Sequence, residues 1–447
     1  MKYEKWSLGY WMLKQYVRFA DWIIQKNTIV LNKKNLPRDK PILFTPNHQN
    51  ALSDPMAILL HTPLQPVWLA RADIFKNKIV IAILRFLKIM PVYRIRDGKE
   101  NLAKNEETFN NSVKVLQNNG ALALFPEGAH TGKRQMIAHK KAAPRIVFMA
   151  EELASENLNI QIIPAGIYYS SYWKFNRNVI VNLGEPIPAN QFLEEYKENP
   201  NAAALSMRNK IYEGLKPLVI DIRSKSHYQD FEDITEYYGR RYLKRQNQKY
   251  SIVNLFHSNK KLGEKLDELE TVYPEKVKEL VEKSGRYKRL IKKHHLRSWL
   301  VEKPENNTIK IVINKLIMLV SLPIFIFGFV FNAIPFFGID TLIRKKVKDF
   351  AFWSTFFLVL GLIVFPIFYL IELAIVSSLL PGIWLKLAFL ISLPFAGKLA
   401  FRWYIILLKT IGRTRLFTLK VFYGNNYKQL QDTKNQLFRD LDNLISV

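Results

Sequence analysis

The sequence predicts an α/β domain, with a mixed, largely parallel sheet and flanking helices, followed by an all-α region and membrane helices near the C-terminus. Three observations predict it. From Lys33 to about Phe192 short apolar runs alternate with helical stretches, the pattern of strand–helix–strand units. The next hundred or so residues are rich in Lys, Glu, Arg and Tyr and read as charged helices. Leu316–Phe337 and Ala351–Ile371 then contain no charged residue, and roughly 20 such positions cross a bilayer core.

In residues 8–26 aromatics and aliphatics, among them Trp11, Tyr16, Phe19 and Trp22, recur every three or four positions among Lys14, Arg18 and Lys26. With Trp6 just ahead, this reads as an amphipathic helix lying in a membrane interface, or packed on its own domain. No small-residue cleavage site accompanies it, so a signal peptide is not expected. Strands are expected at Ile42–Phe44, Val67–Leu69, Ala121–Phe125, Ile160–Ile163 and Val179–Leu183, each bounded by Gly, Pro or Asn. Helices are expected at 55–61, 76–88, 100–118 and 140–156, then at 204–219, 229–246, 260–270 and 275–300. In the tail a weaker apolar stretch, Leu373–Gly397, is broken by Lys386. Basic clusters at Arg344–Lys348 and Lys398–Arg415 favour the cytoplasmic side. They imply a hairpin over Ala351–Gly397 with an uncharged outer turn at Ser377–Gly382. Pro323, Gly328 and Pro335 would let the first apolar run dip in and return.

Composition narrows the partners. Lys and Arg number 66 against 38 Asp and Glu, a formal charge of +28 with a pI near 9.9. Such an excess points to phosphates, whether on nucleic acid, anionic membrane or phosphorylated substrate. Nucleic acid is set aside, because the basic residues are spread along the chain and no Gly-aromatic RNA module or zinc pattern occurs. Cysteine is absent, which excludes disulfides, thiol nucleophiles and cysteine-based zinc sites. The mean hydropathy of −0.07 averages a polar middle with an apolar end.

Two runs carry acid–base chemistry directly after apolar stretches: FTPNHQNALSD at Phe44–Asp54 and LFPEGAHTGKR at Leu124–Arg134. Loops of α/β domains that follow strands in this way usually hold the functional groups. His48 can take a proton from a hydroxyl near neutral pH, and Asp54 can orient it and stabilise the imidazolium. Pro55 predicts that Asp54 sits at a helix N-cap, so a purely capping role for Asp54 is the competing explanation.

These runs resemble the glycerolipid acyltransferases, the family of glycerol-3-phosphate and lysophosphatidate acyltransferases. NHQNALSD at 47–54, VYRIR at 92–96, FPEGAHTGK at 125–133 and IIPAG at 162–166 look like that family's four ordered blocks. Five residues separate His48 from Asp54, one more than the commonest family form. That spacing, with proline next, is similar to a fungal-type subgroup that carries a hydrophobic C-terminal extension. The third block has Ala129-His130 where the family usually has Thr-Arg, so a phosphate-facing arginine is missing.

The resemblance implies roles. His48 would be the general base toward the acceptor hydroxyl, and Asp54 would orient it. Arg94 would hold the acceptor phosphate, and Glu127 with Gly128 would position the acceptor. Lys133, Arg134, Lys140 or Lys141 would supply the lost charge. Pro164 would shape the acyl-donor side. The implied partners are an acyl-CoA or acyl-carrier-protein donor, a phosphorylated glycerol or lysophospholipid acceptor, and membrane lipids. Direct transfer needs one base, an oxyanion site and positioning, and no metal or other cofactor. The implied organisation is an interfacial helix at 1–30, an acyltransferase domain at 31–199 on the cytoplasmic face, a charged helical region at 200–310, membrane-embedded segments at 311–400 and a basic helical tail at 401–447. Two other readings compete: a metal-assisted membrane hydrolase using His48, Asp54, Glu127 and His130, and a non-enzymatic scaffold on anionic membrane.

Overall fold

Two compact units make up the chain in the computed structural model: Met1–Val219 with Lys346–Leu358, and Ile220–Lys345 with Val359–Val447. Residues 3–93, 104–172, 175–302 and 308–445 are described.

The first unit is the expected α/β domain. Its elements run α1 (Leu8–Ile24), β1 (Asn27–Leu31), β2 (Ile42–Pro46), α2 (Ser53–His61), β3 (Val67–Arg71), α3 (Lys78–Phe86), β4 (Ile89–Val92), α4 (Lys104–Gln117), β5 (Ala121–Ala123) and α5 (Ala142–Glu152). They continue with β6 (Gln161–Tyr169), β7 (Asn178–Leu183), β8 (Ile187–Pro188), α6 (Leu193–Glu198) and α7 (Pro200–Leu215). The sheet order is β1-β7-β6-β2-β5-β3-β4, with β8 beside β6. Pairing is parallel except where β6 meets β7 and β8, so the sheet is mixed and largely parallel.

Central parallel strands are covered on both faces, and β2 and β6 are buried along their whole length. The pleat sorts their side chains. Leu43 and Ile162 join Phe109 and Val113 of α4, Ile146 and Val147 of α5, and Met207 and Ile211 of α7 in one core. Ile42, Phe44 and Ile163 face the other way, into a core with Ile58 of α2, Trp68 and Val181. Gly166 of β6 is needed for close approach: a Cβ there would come 2.2 Å from the Leu218 carbonyl oxygen.

Sequence pattern misses β1, β4 and β8, which are short edge pieces, and it ends β6 six residues early. Pro164 and Gly166 read as strand breakers, whereas both are tolerated here by close packing. The expected N-cap position of Asp54 is corrected. The helix begins at Ser53, so Asp54 lies in its first turn. Amides of a first turn have no partner within the helix, so Pro55 fits there without holding Asp54 outside it.

The second unit is all-helical. Its polar part contains α8 (Tyr228–Arg245), α9 (Ile252–Val272), α10 (Pro274–Lys293) and α11 (Ser298–Glu302). Its apolar part contains α12 (Thr308–Val320), α13 (Leu322–Val330), α14 (Ala333–Lys346), α15 (Trp353–Val376) and α16 (Gly382–Phe422). The first thirteen residues of this count that follow Lys345, up to Leu358, group with the α/β unit. Trp353–Leu379 and Gly382–Phe422 are long and apolar enough to cross a membrane. α12 and α13 are bent by 58° at Ser321, just before Pro323, which makes a broken span or a re-entrant loop.

The last helix, α17 (Gly424–Ile445), is amphipathic and buries Leu430, Leu437 and Leu441. Asp442 accepts hydrogen bonds from Arg241 at 2.5 Å, from Arg245 at 2.6 Å and from Tyr238 of α8. Lys283 of α10 pairs with Asp440 at 2.7 Å. The C-terminal helix is thus built into the same bundle as the charged helices.

Candidate active site

The carboxyl end of β2 opens into a tight loop, Asn47–Leu52, that leads directly into α2. Asn47 continues the strand with its side chain: its Oδ1 accepts from Ile167 N at 2.7 Å and its Nδ2 donates to Ile167 O at 3.2 Å. The loop then turns through Ala51, whose φ of 40° lies in the left-handed region that a residue with a Cβ rarely adopts.

That turn folds back on Asp54. One carboxylate oxygen, Oδ2, accepts from His48 Nδ1 at 2.9 Å and from the Gln49 and Asn50 backbone amides at 2.7 Å each. Asp54 is fully buried, while His48 keeps 16% of its side-chain surface exposed. Donation from Nδ1 to the carboxylate assigns the proton to that nitrogen and leaves Nε2 as the basic one. The imidazole lies flat on Phe125, with ring centroids 3.8 Å apart, and Phe125 in turn stacks on Trp68. Those rings limit its rotation.

The loop is held from behind by residues more than a hundred positions away. Tyr172 donates its hydroxyl to Gln49 Oε1 at 2.5 Å, and its carbonyl accepts from Asn50 Nδ2 at 3.3 Å. Arg177, buried and lying over the Tyr169 ring, donates to that same carbonyl and to Ser53 Oγ. Burial and then the nearby Asp54 charge hold the Tyr169 phenol well above its ordinary pKa, so it stays protonated. The sequence shows no signal for Tyr172 or Arg177, since no spacing rule links them to His48.

Glu127 and Gly128 form the expected corner beyond β5. Gly128 has φ +69°, which favours glycine, and Glu127 is buried. Lys133, Lys140 and Lys141 are exposed on the loop that follows. Arg134 reaches toward Tyr169 O at 3.4 Å and lies over the Tyr168 ring. Arg94 lies outside the described residues. Pro164 is not at a free surface: it sits in β6 opposite Thr45, with its ring closely packed where Gly214 of α7 passes.

His130 is brought to the site: its ring stands edge-on to His48 at 5.4 Å. Burial first, and then the neighbouring His48, lower its pKa below that of an ordinary histidine. It is therefore neutral at pH 7 and does not replace the permanent charge of an arginine. Among the described residues no group of three or more His, Asp or Glu side chains is arranged to hold a metal.

A histidine held by a buried carboxylate, beside a glycine corner at the carboxyl end of a largely parallel sheet, is an arrangement suited to general-base chemistry. Residues 27–168 match the Acyltransferase family model.

Among relatives, the chain is 28% identical over 112 residues to glycerol-3-phosphate O-acyltransferase 2 of Saccharomyces cerevisiae. That match covers 25% of this chain and only 15% of the length of the yeast protein. Among solved structures, it is similar to the 1-acyl-sn-glycerophosphate (LPA) acyltransferase PlsC from Thermotoga maritima. Identity there is 18%, with a TM-score of 0.32, covering 46% of this chain and 78% of that one.

Proposed function

We propose that the protein is a membrane-bound O-acyltransferase of phospholipid synthesis. It moves a fatty acyl group from an acyl thioester, carried by CoA or acyl carrier protein, to the hydroxyl of glycerol 3-phosphate or of a lysophospholipid such as lysophosphatidate. The observation that carries this reading is the His48–Asp54 pair with its second ring nitrogen left basic. The acceptor hydroxyl gives its proton to His48 Nε2 while its oxygen attacks the thioester carbonyl. The C–S bond then breaks, and the departing thiolate takes up the proton from the imidazolium. Asp54 holds the ring in the required tautomer and offsets its transient charge. Glu127 and Gly128 position the acceptor, Arg94 with Lys133, Lys140 and Lys141 attract its phosphate, and Pro164 shapes the donor side. The printed name of the yeast protein supports this substrate class.

Membrane attachment is supported by Trp353–Leu379 and Gly382–Phe422 and by the exposed Trp6, Trp11 and Trp22. The basic clusters around 344–348 and 398–415 favour placing the catalytic domain on the cytoplasmic face.

Membranes containing the protein are incubated with a labelled acyl-CoA and a panel of acceptors, and the lipid products identified. His48→Ala is expected to reduce kcat by about 10²–10⁴-fold. Asp54→Asn should act in the same direction, with membrane attachment unchanged. Undiminished turnover in a well-folded His48→Ala protein would falsify the assignment.

A further inference from the structure

The lead-in to the apolar helix α15 lies against the catalytic loop. Residues Lys346–Leu358 group with the α/β unit. The contacts are specific. Thr355 Oγ1 accepts from Leu52 N at 3.2 Å, the Ser354 and Ser53 hydroxyls meet at 3.0 Å, and Ser354 Oγ is 3.4 Å from Asn50 Oδ1. Asn50, Leu52 and Ser53 are three of the five residues between His48 and Asp54. Phe352 stands edge-on to His130 at 5.2 Å, and Asp349 Oδ2 lies 3.9 Å from His130 Nε2. Trp353 Nε1 donates to Val347 O at 2.9 Å, which closes the lead-in on itself. His48 therefore lies within two ring contacts of Phe352, the residue just before a candidate membrane span.

We propose that residues 349–355 form the acceptor-side wall of the acyl-transfer site. Ser354 and Thr355 brace the turn that carries His48 and Asp54, and Phe352 with Asp349 set the position of His130 beside the base. This rests on the proposed function, because the acceptor side is the side of the Glu127–His130 corner. A hydroxyl must approach His48 Nε2 within hydrogen-bond reach, and small displacements of the groups that guide it lower the rate steeply. Phe352 and Asp349 are accordingly positioning residues, acting through His130. The wall is continuous with an apolar helix, so an acceptor bearing a lipid chain meets the site where that helix starts.

Two measurements on the full chain in membranes test the proposal. The sequence has no cysteine, so S53C/S354C creates the only thiol pair. Hydroxyl oxygens 3.0 Å apart put the two side chains in direct contact, the first requirement for a disulfide between positions 53 and 354. Oxidation should join the two peptides, and reductant should release them; no link in membranes overturns the placement. Kinetically, Phe352→Ala and Asp349→Ala should each raise KM for the acceptor about fivefold, with KM for acyl-CoA changed less than twofold. Phe352→Leu and Asp349→Asn should recover most of the loss. Glycerol 3-phosphate and a lysophosphatidate are the acceptor probes. A change confined to acyl-CoA, or no change in either constant, overturns the wall. If the unmodified protein acylates no acceptor, the proposed function fails, while the disulfide still decides where residues 349–355 lie.

Discussion

His48 and Asp54 fall within one loop of the sequence, and their pairing at 2.9 Å follows from that closeness plus two backbone amides aimed at the same oxygen. A carboxylate receiving three donors is fixed in place, so in the proposed reaction orienting His48 would add little reorganisation. Tyr172 and Arg177, from the segment between β6 and β7, complete the support of the loop. Another histidine carries a stability prediction. His139 is buried against Tyr212, and among the described residues neither ring nitrogen has a hydrogen-bond partner. Burial first, and Arg208 second, lower its pKa to about 4. The unfolded chain, with an ordinary histidine near 6.5, binds this proton first. The stability due to neutral His139 is thus complete above pH 6.5 and is lost as pH falls toward 4, on the order of 3 kcal/mol in all. His139→Leu should flatten the pH dependence of the denaturation midpoint across that window. An unchanged slope would show that other groups govern it.

At the scale of the element, α1 shows how one helix serves two faces. Tyr10 and Lys14 are buried, and Lys14 Nζ donates at 2.7 Å to both Thr62 O and Leu64 O just beyond α2. Trp11, Met12 and Trp22 are 45%, 61% and 50% exposed. Both expected alternatives are therefore combined: α1 packs on its own domain with one side and offers aromatic rings with the other, the distribution that suits a membrane interface. Hydrogen bonds from a charged donor to buried carbonyls contribute about 2 kcal/mol. Lys14→Ala should loosen the docking of α1 by that amount, read as faster amide hydrogen exchange in residues 10–24 while exchange in β2 and β6 stays slow. Equal acceleration in those strands would mean that the whole domain had been destabilised. α3 adds exposed Ile79 and Ile83 to the apolar surface, and Phe86 lies beside Gly9.

For the whole molecule, charge and apolar length make different predictions. A protein held to membranes by its +28 charge alone would leave them in high salt, because screening is short-ranged at molar ionic strength. One held by Trp353–Leu379 and Gly382–Phe422 would leave only in detergent. Retention through a 1 M salt wash is expected. The 41-residue α16 is about 61 Å long, twice a bilayer core, so its second half with Arg402, Arg413, Arg415 and Lys420 must run beyond the apolar layer. On the proposed topology, with those residues and Arg344–Lys348 on the cytoplasmic side, the Ser377–Leu379 turn would lie opposite. Ser378→Cys, in this cysteine-free chain, should then react with an impermeant maleimide only from the non-cytoplasmic side. Labelling from the cytoplasmic side would reverse the proposed topology.

Local pattern was enough for the fold class, most sheet strands and helices and the apolar segments, whereas the His48–Asp54 pair, though close in sequence, stood out only with the resemblance of four ordered motifs. Each of these rests on periodicity or on residues a few positions apart, which the backbone geometry of helices and strands converts directly into structure. The strained turn at Ala51, the Phe125 stack, the Tyr172 and Arg177 braces and the wall at 349–355 required the folded chain. They join residues separated by up to about three hundred positions, and only the packing of the sheet decides which of those come within hydrogen-bond reach.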